Sequence, residues 1–165
     1  MNAEDNRKLA EQYDVQGFPT IKYFPKNNGT PMLYELGRDE LALVDYVNTQ
    51  IGSHRTIGGG LTATAGTIAS LDELVSKVTG GSTDLSTIAE SVTEAAKELK
   101  DQYAPYYVKV LGKLAENKGY LEKEIGRLEG MLKKGGLAPT KIDDLTSRMN
   151  ILKRFGIGSS EKSEL

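Results

Sequence analysis

The chain has 165 residues and carries 21 basic against 23 acidic side chains, a formal net charge of −2. Such a balance implies neither nucleic acid nor an anionic membrane as a partner. The apolar runs of a few residues fall far short of the roughly 20 that span a bilayer. The length fits one ordinary domain plus part of another. The chain contains no cysteine, so these residues cannot supply the thiolate that attacks a disulfide. No cofactor and no metal site is expected. The first eight residues are polar and lack the apolar core of a secretory signal, so the chain as written is expected in the cytosol.

In chain order, Leu9, Ala10 and Tyr13 share one side of a short amphipathic helix from about Asp5 to Tyr13, which Gly17 and Pro19 cannot continue. Thr20–Phe24 and Met32–Leu36 are β-favouring runs. Between them Asn28-Gly29 suits the positive φ of a tight turn, so the three pieces predict a hairpin. Asn28-Gly29-Thr30 also matches a glycosylation sequon, for which the turn is sufficient explanation. Asp39 is placed to cap a helix carrying Leu43, Val44, Val47 and Ile51, with Gly52 at its end.

From Ser53 to Ala69 the composition shifts to Gly, Thr, Ala and Ser around Gly58-Gly59-Gly60, which reads as a linker. These glycines lack the spacing of a phosphate-cradling loop, and His54 has no ligand or acid–base partner nearby in sequence. Residues 70–156 then predict five helices. Ser70-Leu-Asp-Glu73 reads as a capping box, and Gly80-Gly81 ends the first helix. Ile88, Val92, Ala95, Ala96 and Leu99 form the stripe of the second. Pro105 restarts the chain into a third bearing Tyr106, Tyr107, Val110, Leu111 and Leu114. Leu121, Ile125, Leu128 and Leu132 mark the fourth, closed by Gly135-Gly136. Pro139 opens the fifth, with Ile142, Leu145, Met149 and Leu152. No pattern persists for the three or four heptads of a coiled coil, so a compact bundle is expected.

Gly17-Phe18-Pro19-Thr20, the hairpin after it and Gly37-Arg38 resemble the second half of a protein disulfide isomerase catalytic domain, which has the thioredoxin fold. Tyr106–Leu111, Gly119–Glu124 and Asp143–Phe155 resemble the all-helical D domain appended to some fungal, plant and slime-mould protein disulfide isomerases. A redox-inactive chaperone family of the endoplasmic reticulum shares that domain. The resemblance implies an α+β fragment over residues 1–52, the linker 53–69, a helical D domain over 70–156 and a tail over 157–165.

The same resemblance implies roles for particular residues. Pro19 matches a cis-proline that lies beside the redox cysteines, where Phe18 and Thr20 flank the backbone that pairs with extended substrate. Arg38 matches an arginine that favours the catalytic thiolate, as a nearby cation should. Lys162-Ser163-Glu164-Leu165 resembles the Lys-Asp-Glu-Leu retrieval signal, with serine replacing aspartate. It implies a location in the lumen of the endoplasmic reticulum if an upstream signal peptide precedes Met1.

The leading expectation is therefore the C-terminal part of such an isomerase. Its partners would be unfolded secretory proteins and a retrieval receptor, with a second copy of the chain as a further partner. A non-catalytic chaperone-like module and a cytosolic helical adaptor are the alternatives. Within the helical part, Tyr103, Tyr106 and Tyr107 can form one broad patch for extended clients. The competing and favoured reading places them in the core with satisfied hydroxyls.

Overall fold

The computed structural model describes residues 5–27, 29–79 and 84–156. The described chain folds into helices α1 (Arg7–Gln12), α2 (Glu40–Ile51), α3 (Ala69–Thr79), α4 (Leu85–Glu98), α5 (Ala104–Glu116), α6 (Tyr120–Lys134) and α7 (Pro139–Gly156). Strands β1 (Lys22–Tyr23) and β2 (Met32–Leu33) precede α2. The described residues are mostly helical, with one small sheet. It separates into two compact units, Met1–Tyr46 and Val47–Leu165.

In the first unit β1 and β2 pair antiparallel, Lys22 opposite Leu33 and Tyr23 opposite Met32. The regular pairing is shorter than the β-favouring runs on either side of the turn. Three aromatic rings organise this unit: Tyr46 meets Tyr34 and Tyr23 edge-on at 4.8 and 6.0 Å, geometry that the ring quadrupole favours. The Tyr34 hydroxyl donates to the Gly37 carbonyl. Asp39 caps α2, its Oδ1 accepting the Ala42 N–H at 3.0 Å, as its position predicts. Tyr34 is the single buried apolar side chain among the described residues of this unit, while Phe18, Leu33, Leu36 and Leu41 are more than half exposed. A two-stranded sheet offers too little area to cover them.

The second unit has one contiguous core. Leu71 and Val75 from α3, Ile88 and Val92 from α4, and Tyr107, Val110 and Leu111 from α5 meet Leu128 of α6 and Leu145, Ile151, Leu152 and Phe155 of α7. Helix α4 packs on α3 and α5, and α7 packs on α3 and α6. Each such aliphatic side chain contributes about 1.5–3 kcal/mol when fully buried. Pro105 lies in the first turn of α5, where its missing N–H is harmless. Gly135, at φ +70°, ends α6. Pro139 opens α7.

Two local expectations change. Helix α3 begins at Ala69, one residue before Ser70, so Ser70 does not stand at the cap. The start of the helix is secured from α5, where the Tyr107 hydroxyl accepts the Ile68 N–H at 3.0 Å. The Gly80-Gly81 stop lies outside the described residues.

The other change concerns residues 53–69, whose composition reads as a linker. They fold back in a small hairpin, with Arg55 bridged to Leu61 and the Thr62 N–H donating to the His54 carbonyl at 2.9 Å. This hairpin is fastened along α7. Arg55 meets Asp143 through two bonds of 2.9 and 2.5 Å, and Asn150 Nδ2 donates to the Thr62 and Ala65 carbonyls at 3.0 and 3.1 Å. Gly66 has φ +77°, and a Cβ there would stand 2.4 Å from Ser147 Cβ. Small residues are needed at this crossing because two backbones approach closely.

Candidate functional site

The sequence-derived site residues of the first unit converge. The Phe18–Pro19 peptide is cis, and the guanidinium of Arg38 donates from Nη2 to the Pro19 carbonyl at 3.2 Å across 19 residues. Thr20 Oγ1 donates to the Gly17 carbonyl at 2.6 Å, closing the turn from its other side. Phe18 is 69% exposed. The turn therefore presents an apolar ring and peptide edges on a frame braced by a cation. Extended backbone can use such a surface, since main-chain hydrogen bonds give affinity and an apolar contact adds to it. The turn holds no thiol, and the Thr20 hydroxyl is engaged with the Gly17 carbonyl.

The tyrosines of α5 have a different fate. Tyr107 is fully buried and Tyr106 is 8% exposed, while Tyr103 packs partly buried against the same core. Burial thus removes Tyr106 and Tyr107 from any client-facing patch. Tyr107 accepts the Ile68 N–H and donates to Asp72 Oδ1 at 2.5 Å. Burial, reinforced by the Asp72 carboxylate, holds its phenol well above the ordinary range. Asp72 also pairs with Arg154, Nε to Oδ2 at 3.3 Å. The Arg148 guanidinium lies 5.3 Å from the Tyr106 ring centroid, within cation–π range, and Asp144 holds it at 2.9 Å. Burial is again the main cause that raises the Tyr106 phenol.

Sequence reasoning missed Asp72, Asn150, Gly66 with Ser147, and the Arg55–Asp143 pair. Arg55 and Asp143 stand 88 residues apart, a separation at which no spacing rule applies. The unusual run of glycine and small residues from Gly58 to Gly66 was a visible signal, since glycine also marks close backbone approach.

His54 accompanies Thr64, Nδ1 to Oγ1 at 3.4 Å, at an exposed position. No group of three metal-ligating side chains occurs among the described residues, and none of their helices is long and apolar enough to cross a membrane. Lys162, Ser163, Glu164, Leu165 and the sequon residue Asn28 lie outside the described residues.

Comparison with known proteins gives the arrangement a context. Residues 66–155 match the family described as Endoplasmic reticulum protein ERp29, C-terminal domain. The chain is 50% identical to Protein disulfide-isomerase erp38 of Neurospora crassa over 167 residues, which cover 99% of this chain and 45% of that protein. It is also 50% identical to Protein disulfide-isomerase tigA of Aspergillus niger over 165 residues, again 99% of this chain and 45% of the relative. Probable protein disulfide-isomerase A6 of Medicago sativa is 38% identical over 160 residues, 94% of this chain and 44% of the relative. The chain thus spans a little under half the length of these curated relatives.

Proposed function

Because the chain belongs to the ERp29 C-terminal domain family through residues 66–155, we propose that it serves protein folding in the endoplasmic reticulum as the non-redox portion of a protein disulfide isomerase. In this reading the first unit is the end of a thioredoxin fold. Phe18, Pro19 and Thr20 offer backbone and an apolar ring to unfolded secretory chains. Arg38 braces that turn, and would face a redox thiol supplied from outside these residues. The helical unit is the D domain, and Lys162–Leu165 is the address read by a retrieval receptor.

The observation that carries the proposal is the 50% identity to fungal protein disulfide isomerases over 99% of the chain. The Arg38–Pro19 contact supports it independently, because it joins two residues singled out for that chemistry. With no thiol in the chain, the redox step itself is assigned elsewhere. Nothing favours the cytosolic adaptor.

The purified chain should therefore slow aggregation of a reduced, denatured secretory protein without turning over any disulfide. Phe18→Ser should weaken the first effect severalfold and leave the helical signal unchanged. Disulfide turnover above that of a denatured control, or full holdase activity in Phe18→Ser, would overturn these roles. For the address, Ser159–Leu165 fused to a secreted reporter should raise its retention in cells. Removal of Leu165 should abolish the gain, and equal retention of both fusions would refute the tail's part.

A further inference from the structure

The hairpin between α2 and α3 is held at two places of different chemistry. Its inner part, residues 61–68, is fastened by buried groups: Asn150, 7% exposed, serves the Thr62 and Ala65 carbonyls, and Gly66 is wedged on buried Ser147. Its outer part, residues 53–60, is fastened by groups open to water. Arg55 and Asp143 grip each other through the two terminal guanidinium nitrogens and both carboxylate oxygens, with 44% and 29% of their side chains exposed.

Arg55 is also tied in the opposite direction. Its N–H donates to Asn48 Oδ1 at 2.9 Å and its carbonyl accepts from Asn48 Nδ2 at 2.8 Å. The Ser53 hydroxyl donates to the same Asn48 oxygen at 2.7 Å. Asn48 belongs to the last turns of α2, and Asp143 to the first turn and a half of α7. One residue therefore fixes the end of α2 with its backbone and α7 with its side chain.

We propose that Arg55 and Asp143 form a salt-labile latch whose opening releases residues 53–60 and the end of α2 from α7 while the inner anchor at 61–68 stays closed. The two anchors respond differently to solvent. An exposed ion pair contributes little and is screened once the Debye length shrinks, to about 3 Å at 1 M salt. Amide-to-carbonyl bonds in a buried setting are insensitive to ions, and breaking them leaves polar groups unsatisfied. When released, residues 53–60 can reach roughly 25 Å, and Gly58 and Gly59, both at positive φ, make them pliable. Opening thus leaves residues 53–60 as a flexible tether beside the closed inner anchor.

Amide hydrogen exchange on the full chain reads the two anchors separately. Thr56 and Gly59 N–H groups bond within the outer hairpin, to the Gly60 and Thr56 carbonyls, while the Ile68 N–H bonds to Tyr107 in the inner part. Asp143→Ala is the cleaner variant, because the Arg55 side chain also donates to the Gly59 carbonyl. We expect Asp143→Ala, or 1 M salt on the unaltered chain, to speed exchange at Thr56 and Gly59 roughly two- to fivefold with Ile68 unchanged. Asp143→Arg combined with Arg55→Asp should restore protection that Asp143→Arg alone removes. If Thr56 and Ile68 accelerate together, or if neither salt nor Asp143→Ala changes Thr56 and Gly59, the latch does not exist.

Discussion

The Tyr107 hydroxyl stands 2.5 Å from the Asp72 carboxylate across 35 residues of chain, and the same oxygen accepts the Ile68 N–H. One phenol on α5 thereby secures the first turn of α3, supplying from outside the helix what a capping side chain supplies from within.

Tyr107→Phe keeps the ring contact with Phe155, 5.9 Å between centroids, and removes only the hydroxyl. It should cost about 1–3 kcal/mol in urea unfolding, because it leaves a half-buried N–H and a carboxylate short of a partner. Tyr106→Phe is the control. Its hydroxyl is buried with no protein hydrogen-bond partner, so the same change there should cost distinctly less. Equal losses at the two positions would contradict the capping role.

Gly66 and Asn150 supply a second test. Gly66→Ala meets both a positive φ of +77° and a clash with Ser147, so it should destabilise the helical unit by about 1–3 kcal/mol. Ser147→Gly should remove the contact with the serine Cβ but leave a 3.1 Å approach to its Cα and the backbone strain, giving partial rescue in thermal melts. Asn150→Ala abandons two carbonyls at once and should cost a similar amount.

The response to acid follows from two carboxylates. Arg55 holds the Asp143 carboxyl below its ordinary value of 3.8, and Arg127 holds that of Glu124 below 4.5. A depressed folded-state value means that the unfolded chain binds protons more readily. Both contributions are therefore complete above the ordinary carboxylate range and are lost as pH falls through the folded values. Stability measured from pH 7 downward should stay flat in this respect until about pH 5 and then decline. Asp143→Asn should flatten part of that decline, and an unchanged acid profile would argue against the pair.

The two units should also differ in resistance to opening. Among the described residues of the first, Tyr34 alone is buried, whereas the second has a continuous core drawn from α3 to α7. The Tyr34 N–H, bonded to the Ile21 carbonyl at 2.9 Å, should exchange faster than backbone amides within α5, such as that of Val110. Partial urea should release it while helical signal persists. Equal protection at Tyr34 and Val110 would refute this.

The helical half was legible because its signals are local. Leu121, Ile125, Leu128 and Leu132 recur at helical intervals, and Gly135 and Pro139 punctuate the chain where α6 ends and α7 begins. Pro19 and Arg38 were found through family likeness, and their contact could not be read from spacing. Composition misled at residues 53–69, since glycine and threonine serve a close-packed crossing as well as a free linker. At α3 the Ser70–Glu73 pattern was a plausible local cap. A hydroxyl from Tyr107, invisible to any window around Ser70, took that place.

The hairpin on α7 also bears on where the helical domain can be cut. The family match begins at residue 66, yet Thr62 and Ala65, which satisfy the amide of Asn150, and Arg55, which neutralises Asp143, precede it. A domain excised at the family boundary would expose the amide of Asn150 and leave Asp143 without its cation. Loss of stability or self-association in such a piece would then be an artefact of the scissors, and beginning it near Val47 would remove the fault.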